Sequence, residues 1–78
     1  MAILFVLIKC QTGFEKAVKS SIEIIPRFID RIDIITGAFD LIVRLKAENS
    51  GELQRILIGK LRNIPNVIQT VSLTVIET

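Results

Sequence analysis

The residues of this sequence that could carry chemistry are few. It contains no His, so the most common general base and metal ligand is absent. Its single Cys, Cys10, follows an apolar segment and has no His to activate it, which favours a small buried thiol over a nucleophile. Asp33 and Asp40 flank a predicted turn, but so short a chain has little material for the cleft that a catalytic carboxylate pair needs. We therefore predict that the chain is not an enzyme and uses no cofactor or metal ion.

Composition excludes several classes of binding protein. Ten basic and eight acidic residues give a net charge of +2, and the basic residues are scattered, which does not predict a nucleic-acid surface. There is no Trp or Tyr and there are only four Phe, too few for the aromatic platform of an RNA-recognition sheet. One Cys cannot form an internal disulfide or the paired thiolates of a heavy-metal carrier.

No segment of the sequence indicates a membrane or a secretion signal. The uncharged segment at the beginning ends at Lys9, far short of the roughly 20 apolar residues that span a bilayer. It also lacks the basic start and cleavage pattern of a signal peptide. We expect a cytoplasmic protein that does not contact a membrane.

The elements that position these residues come from a sequence that repeats after 39 residues: Ile25-Pro26 recurs as Ile64-Pro65. Each copy has the pattern of a strand, a helix, a Pro and a strand. Two copies predict βαββαβ, an α+β ferredoxin-like fold with a four-stranded antiparallel sheet, two helices on one face, and one domain over residues 1–78. The other corresponding apolar pairs are Leu4 and Val43, Val6 and Leu45, Phe14 and Leu53, Ala17 and Ile56, Val18 and Leu57, Ile22 and Leu61, Ile32 and Val71, and Ile34 and Leu73.

Hydrophobic periodicity and turn residues predict six elements. A capping box, in which Thr12 and Glu15 satisfy backbone amides, begins the first helix. Asn49 or Ser50 caps the second helix. The predicted elements are strands over 3–8, 28–35, 39–47 and 67–77, and helices from Thr12 to about Ile25 and from Asn49 or Ser50 to near Arg62.

The repeat also predicts which strand residues face the helices. The residues expected to face them are Leu4, Val6, Ile8, Ile32, Ile34, Leu41, Val43, Leu45, Val71, Leu73 and Val75. The residues expected on the opposite, open face are Ile3, Phe5, Leu7, Ile29, Ile35, Ile42, Ile68 and Ile76, with Thr70, Ser72 and Thr74 on the same side of the last strand. An apolar patch of that size indicates an interface, and a second copy of the chain is the simplest cover. We predict a homodimer through Ile3, Phe5, Leu7, Ile42 and Ile68.

Several segments together resemble the effector-binding (RAM) domain of the Lrp/AsnC family of transcriptional regulators. They are Thr36-Gly37-Ala38-Phe39-Asp40-Leu41, Ile64-Pro65-Asn66-Val67, the alternating Thr70-Val71-Ser72-Leu73-Thr74, and the opening strand Leu4 to Lys9. The resemblance implies dimers that pair through their sheets and assemble into rings, often octamers. It also implies amino-acid effectors bound between dimers, near the turn that joins strands two and three.

The resemblance implies site residues at that turn and on the last strand. Gly37, Ala38 and Asp40 correspond to the effector turn, and Thr70 and Ser72 are partners on strand four. A Gly turn can bring backbone amides to a ligand carboxylate, and Asp40 can accept a charge-assisted hydrogen bond from an α-ammonium. Each residue also has a purely structural interpretation: a turn glycine, a carboxylate that locks its own hairpin, and ordinary strand hydroxyls.

The family's helix-turn-helix domain has no counterpart in this sequence, whose first strand begins at residue 2. We therefore expect a stand-alone module without specific DNA binding. The first hypothesis is an amino-acid-sensing, oligomerising module that modulates Lrp/AsnC-type transcriptional regulation. The alternative is a purely structural interaction module that co-assembles with full-length regulators without binding a ligand. A small enzyme of the dimeric α+β barrel type is the third hypothesis.

Overall fold

A computed structural model describes residues 2–25, 29–49, 51 and 53–76. Pro26, Phe28, Ser50 and Glu77, at which the sequence predicts element boundaries, lie outside these residues. The elements are β1 (Ala2–Cys10), α1 (Glu15–Glu23), β2 (Ile29–Ile34), β3 (Leu41–Ala47), a π-helical turn (Leu53–Leu57), α2 (Ile58–Arg62) and β4 (Val67–Thr74).

The four strands form one antiparallel sheet in the order β2-β3-β1-β4. Both helical segments contribute to one buried cluster with one face of the central strands, so they pack on the same side of the sheet. The predicted ferredoxin-like βαββαβ fold is therefore confirmed. The core residues are Leu4, Val6, Ile8, Cys10, Val18, Ile22, Leu41, Val43, Leu45, Leu53 and Leu61, each less than 5% exposed.

The predicted facing of β4 is wrong by one residue. Thr70 lies opposite Ile8, Ser72 opposite Val6, and Thr74 opposite Leu4, so these three polar residues share the helix-facing side with the core. Three apolar residues of this segment lie on the open face instead. Val71 lies opposite Leu7, and Leu73 lies opposite Phe5. Val75 follows them, and its N–H donates to the Ile3 carbonyl.

An irregularity at the beginning of β4 causes this reversal. Cys10 pairs with Val67 and Lys9 pairs with Gln69, so Ile68 is an extra residue without a direct partner on β1. In the first unit the matching irregularity falls between Ile29 and Arg31. Thr70 is therefore the structural counterpart of Ile32, which it follows by 38 residues and not by the 39 of the sequence repeat. This slip of one residue moves every later β4 side chain to the other face of the sheet.

The open face differs from the predicted one at three more positions. Ile29 pairs with Leu45 on the helix side and packs against the core, so its predicted position on the open face is wrong. Ile76 follows the end of β4 and is 83% exposed. Ile68 is 60% exposed at the irregularity and is not part of a regular strand face. Ile3, Phe5, Leu7 and Ile42 alternate with the core residues of β1 and β3 and lie on the open face, half-buried.

The two helical segments differ from the predicted ones at their beginnings. Phe14 is the N-cap of α1 and no side chain caps it, so the predicted Thr12 cap is wrong. Glu15 does reach back, since its carboxylate accepts from the Gly13 N–H at 3.1 Å. Before the second helix, Asn49 Oδ1 accepts from the Gly51 N–H at 2.8 Å, as an Asn at a helix start can. That helix then opens as a π-helical turn, a geometry that is rare and often found at functional sites.

Candidate functional site at one end of the sheet

The connection between β2 and β3 is a tight, exposed turn that requires a glycine. The Ile35 N–H donates to the Asp40 carbonyl at 2.9 Å and closes it. Gly37 has φ of 122°, which side chains disfavour, although a Cβ there would meet no atom within 4 Å. The glycine is therefore required by the backbone conformation, and not because a side chain would clash with its surroundings. Thr36, Gly37 and Ala38 all lie exposed, and none of their N–H groups donates to a backbone carbonyl of the described residues.

Asp40 ties this turn to the end of β1. The Cys10 backbone N–H donates to Asp40 Oδ2 at 2.9 Å, and the Asp40 N–H donates to the Ile8 carbonyl at 2.9 Å. The carboxylate thus satisfies a backbone donor where the regular β1–β3 pairing has ended. Asp40 has a structural role in the chain by itself, with one carboxylate oxygen used for it.

The Cys10 thiol is part of the same corner and is suited to packing. Its residue is only 4% exposed. Burial raises the pKa of the Cys10 thiol above its ordinary value of 9.0, and the neighbouring carboxylates of Asp40 and Glu15 raise it further. The thiol therefore stays protonated near neutral pH, and a thiolate nucleophile is disfavoured.

The β4 hydroxyls face the second helical segment. Arg62 Nε donates to Thr70 Oγ1 at 3.4 Å, and Gln54 Nε2 donates to Thr74 Oγ1 at 3.2 Å. Ser72 lies between them on the same face and is exposed. The predicted polar strip of Thr70 and Ser72 on the open face is therefore wrong, because the slip at Ile68 places both residues on the helix side.

The predicted effector residues thus form two groups at one end of the sheet. Leu41, next to Asp40, lies opposite Ile8, and Ile8 lies opposite Thr70. Because β1 stands between β3 and β4, the turn and Thr70 are about two strand spacings apart, roughly 9–10 Å. The ammonium and carboxylate of an α-amino acid sit on one carbon atom. One such molecule cannot bind Asp40 and the β4 hydroxyls of one chain closely at once.

Arg62 is a candidate binding residue that the sequence alone did not indicate, because it is one of ten basic residues scattered along the chain. A cavity of about 370 Å³, broadly open to solvent, lies between the end of α2 and the beginning of β4. Its lining is Arg62, Val67, Ile68, Gln69 and Thr70. No motif marks this site, because it depends on the Ile68 irregularity. A basic residue in the last turn of a helix, shortly before a strand, is the signal that the sequence contains.

The open face has an apolar half and a charged half. On β2 and β3, Arg44 Nη1 lies 2.8 Å from Asp30 Oδ2, and Lys46 Nζ lies 3.7 Å from Asp30 Oδ1. Arg31 Nε lies 2.8 Å from Asp33 Oδ2. The apolar half lies on β1 and β4 and consists of Ile3, Phe5, Leu7, Val71 and Leu73.

Neither a metal centre nor a membrane segment is found in the residues that the structure describes. Within them, no three Cys, Asp or Glu side chains lie close enough together to hold a metal ion. None of the helices within those same ranges has the length and apolar character that crossing a bilayer requires.

Comparison with known sequences identifies the family. The family model described as the Lrp/AsnC ligand binding domain matches residues 3–78. A relative from Pyrococcus abyssi, named as an uncharacterized HTH-type transcriptional regulator, is 43% identical over 47 residues. That match covers 60% of this chain but only 31% of the regulator, so the chain corresponds to part of its relative's length.

Comparison with solved structures shows the same fold. The protein TTHA0845 of Thermus thermophilus superimposes with a TM-score of 0.88 at 22% identity, over 100% of this chain and 96% of the other. AsnC of E. coli superimposes with a TM-score of 0.85 at 18% identity, over 99% of this chain and 52% of AsnC. The family is one of regulatory ligand-binding domains and not of enzymes. With almost its whole length matched, the chain belongs to the Lrp/AsnC ligand-binding domain family.

Proposed function

We propose that this chain is an amino-acid-responsive, self-associating module that modulates transcription with regulators of the Lrp/AsnC family. The observation that carries the proposal is the turn of Thr36 to Asp40 in a chain of this family. The turn combines exposed residues around a glycine at φ 122° with a carboxylate at its end.

The turn offers complementary partners for both charged groups of an α-amino acid. The amides near Gly37 and Ala38 suit a carboxylate, because backbone N–H groups in a glycine turn form an anion-binding concavity. Oδ2 of Asp40 accepts from Cys10, and its second carboxylate oxygen can accept from an ammonium. Thr70 and Ser72 join this pocket when a second dimer brings its β4 to the turn, since β1 separates them from Asp40 within one protomer.

Self-association is the second part of the proposal, and its surface is the apolar half of the open face. A two-fold partner that covers about 800 Å² per protomer buries a standard interface area. With somewhat over half of it apolar, the gross hydrophobic gain is on the order of 20 kcal/mol, and association costs offset much of it. The charged half of the face then lies at the rim, where ion pairs keep their contact with water. Dimers of this kind assemble further into a ring such as an octamer.

The oligomeric state tests this second part directly. Phe5→Asp places a carboxylate in the apolar half, and we expect a monomer or an unfolded chain in sedimentation at micromolar concentration. A well-folded wild-type monomer at that concentration would contradict the proposal.

Effector binding is tested by a thermal-shift screen of the twenty amino acids, followed by calorimetry. An amino acid at 100 times its dissociation constant adds about 2.7 kcal/mol of stability, which shifts the midpoint visibly. Asp40→Asn keeps an oxygen for the Cys10 N–H but removes the charge. We expect it to weaken binding by about 1.5–3 kcal/mol, roughly ten- to hundredfold.

The matched control is Asp33→Asn, which removes a carboxylate from the exposed Arg31 pair on β2 and leaves the turn unchanged. We expect wild-type affinity. If no amino acid binds, or if both Asn variants bind like the wild type, the turn is not an effector site.

The alternative function is a structural module that co-assembles with full-length regulators without binding a ligand. The observation in its favour is that Asp40 already has a structural partner in the Cys10 N–H. Light scattering of a mixture with a full-length regulator separates the two functions. Mixed assemblies whose size no amino acid changes would favour the alternative, and an assembly that responds to one amino acid favours the effector module. On either hypothesis we expect no specific binding of duplex DNA by the chain alone.

A further inference from the structure

The cavity between α2 and β4 is a second site with a chemistry of its own. Its polar lining is one guanidinium (Arg62), one amide (Gln69) and one hydroxyl (Thr70), and its apolar lining is Val67 and Ile68. None of the described residues that line it carries a carboxylate. At about 370 Å³ its volume falls within the range of small-molecule sites.

One hydrogen bond uses only part of the Arg62 guanidinium and leaves donors that can meet an anion. Its Nε donates to Thr70 Oγ1 at 3.4 Å, which uses one of five N–H donors and leaves the two terminal NH₂ groups. Among the ion pairs of the described residues, none includes Arg62. A guanidinium held by its Nε presents the paired donors that bind a carboxylate with two parallel hydrogen bonds. Lys60, also in α2, adds positive charge to this end of the helix.

The irregularity in β4 supplies the apolar part. Because Cys10 pairs with Val67 and Lys9 with Gln69, Ile68 has no direct partner on β1. Its exposed fraction is 60%, and it lines the same cavity as Arg62. A ligand with a branched aliphatic chain would cover Ile68 and Val67 while its head group meets Arg62.

We propose that this cavity binds a small aliphatic carboxylic acid, with Arg62 as the carboxylate ligand and Ile68 and Val67 as the contacts of its chain. The described lining residues provide no negative charge for an ammonium, so the proposed ligand does not need one. A branched 2-oxo acid or an unsubstituted aliphatic acid binds at least as well as the amino acid with the same side chain. This site goes beyond the proposed effector turn, because it requires neither Asp40 nor a second copy of the chain.

The test compares leucine with 4-methyl-2-oxopentanoate, which has the same branched chain and no ammonium. Binding of each is measured by calorimetry and by amide shifts in NMR spectra of the ¹⁵N-labelled wild type. We expect the oxo acid to shift the amides of residues 67–70, and Arg62→Gln to weaken its binding at least tenfold. Arg62→Lys keeps the charge but not the paired donors, and we expect an intermediate loss. Ile68→Ser should remove the preference for the branched chain over acetate.

Two controls separate this site from the turn. Lys60→Gln removes a neighbouring charge outside the cavity lining, and Asp40→Asn alters the turn; we expect both to bind the oxo acid within threefold of the wild type. Equal affinity of Arg62→Gln and the wild type, or no shift at residues 67–70 with millimolar oxo acid, would overturn the inference. A response to an amino acid that is lost only in Asp40→Asn would leave the proposed effector turn standing without the Arg62 site. Oxo-acid binding that is lost only in Arg62→Gln would support the Arg62 site without supporting the effector turn.

Discussion

The first strand-helix-strand unit, β1-α1-β2, and the second, β3-α2-β4, began from similar sequences and differ most in their last strands. β2 carries Asp30, Arg31 and Asp33, and charges on an edge strand oppose pairing with other chains. β4 is the other edge, and its sequence VIQTVSLT has no charged residue. Its apolar residues face the open side and its hydroxyls face the helix. The apolar half of the open face therefore combines β1 of the first unit with β4 of the second, and the cavity beside Arg62 lies within the second unit.

The helices show the same contrast. α1 is a regular helix of nine residues with Val18 and Ile22 buried. The second helical segment is a π-helical turn of five residues followed by an α-helix of five. A wider π turn re-aims the side chains around it, and Gln54 in that turn reaches the β4 hydroxyl of Thr74. Two similar sequences thus form helical segments of different shape, because one of them departs from regular α-helical geometry.

The largest effect that would sharpen this comparison is on association, from two neighbouring residues of β4. Val71→Asp places a carboxylate on the open face, and Ser72→Asp places one on the exposed helix side. Because an unpaired charge in an apolar interface costs several kcal/mol, we expect Val71→Asp to weaken dimerisation about a thousandfold or more. Ser72→Asp should stay dimeric in sedimentation equilibrium. The opposite result would restore the face assignment that the repeat predicted.

The next effect compares the cores of the two units. Ile22 and Leu61 occupy corresponding helix positions and both are fully buried. Truncation of either to Ala should lower the free energy of unfolding by about 2–5 kcal/mol. We expect the smaller loss for Leu61→Ala, because the short α2 and its π turn can relax into the cavity. Urea denaturation measures both, and equal losses would mean that the two units are equally rigid.

Asp40 links the two units, and its removal should have a smaller effect. Asp40→Ala leaves the Cys10 backbone N–H without its acceptor in a partly buried site. We expect a loss of about 1–3 kcal/mol in the free energy of unfolding, and a smaller loss for Asp40→Asn, which keeps an acceptor oxygen. Thermal and urea unfolding of the pair measure the difference. If Ala is tolerated as well as Asn, the hydrogen bond contributes little to stability.

The smallest effect concerns pH at the end of β1. Folding raises the pKa of Cys10, so above about pH 9 the folded chain holds a proton that the unfolded chain loses. Stability must then fall as the pH rises, with a slope from this group of at most about 1.4 kcal/mol per pH unit. Cys10→Ala should show a shallower decline between pH 8 and 10.5, whatever its packing loss at neutral pH. Parallel declines of the two proteins would show that the thiol titrates normally.

The sequence by itself determined the fold and most of its core. The repeat, the Pro residues and the alternation of apolar residues in β1 and β3 were sufficient, because those two central strands pair without a register shift from Ala2 opposite Ala47 to Ile8 opposite Leu41. The turn at Gly37 was predictable too, since a glycine between two strand patterns signals a backbone conformation that side chains disfavour. Local chemistry decided each of these features.

Only the tertiary structure decided what the β4 residues face. The extra residue Ile68 changes the face of the sheet on which each later β4 side chain lies. The alternation in VIQTVSLT does not reveal this change, because both faces combine moderate polarity with β-branched side chains. The cavity beside Arg62 follows from that slip, and the separation of Thr70 from Asp40 follows from the strand order, in which β1 lies between β3 and β4. The hydrogen bond from the Cys10 backbone N–H to the Asp40 carboxylate also depends on the tertiary structure, because it forms only where the end of β1 lies beside Asp40. A sequence specifies such features only through strand register, which side chains from distant parts of the chain settle together.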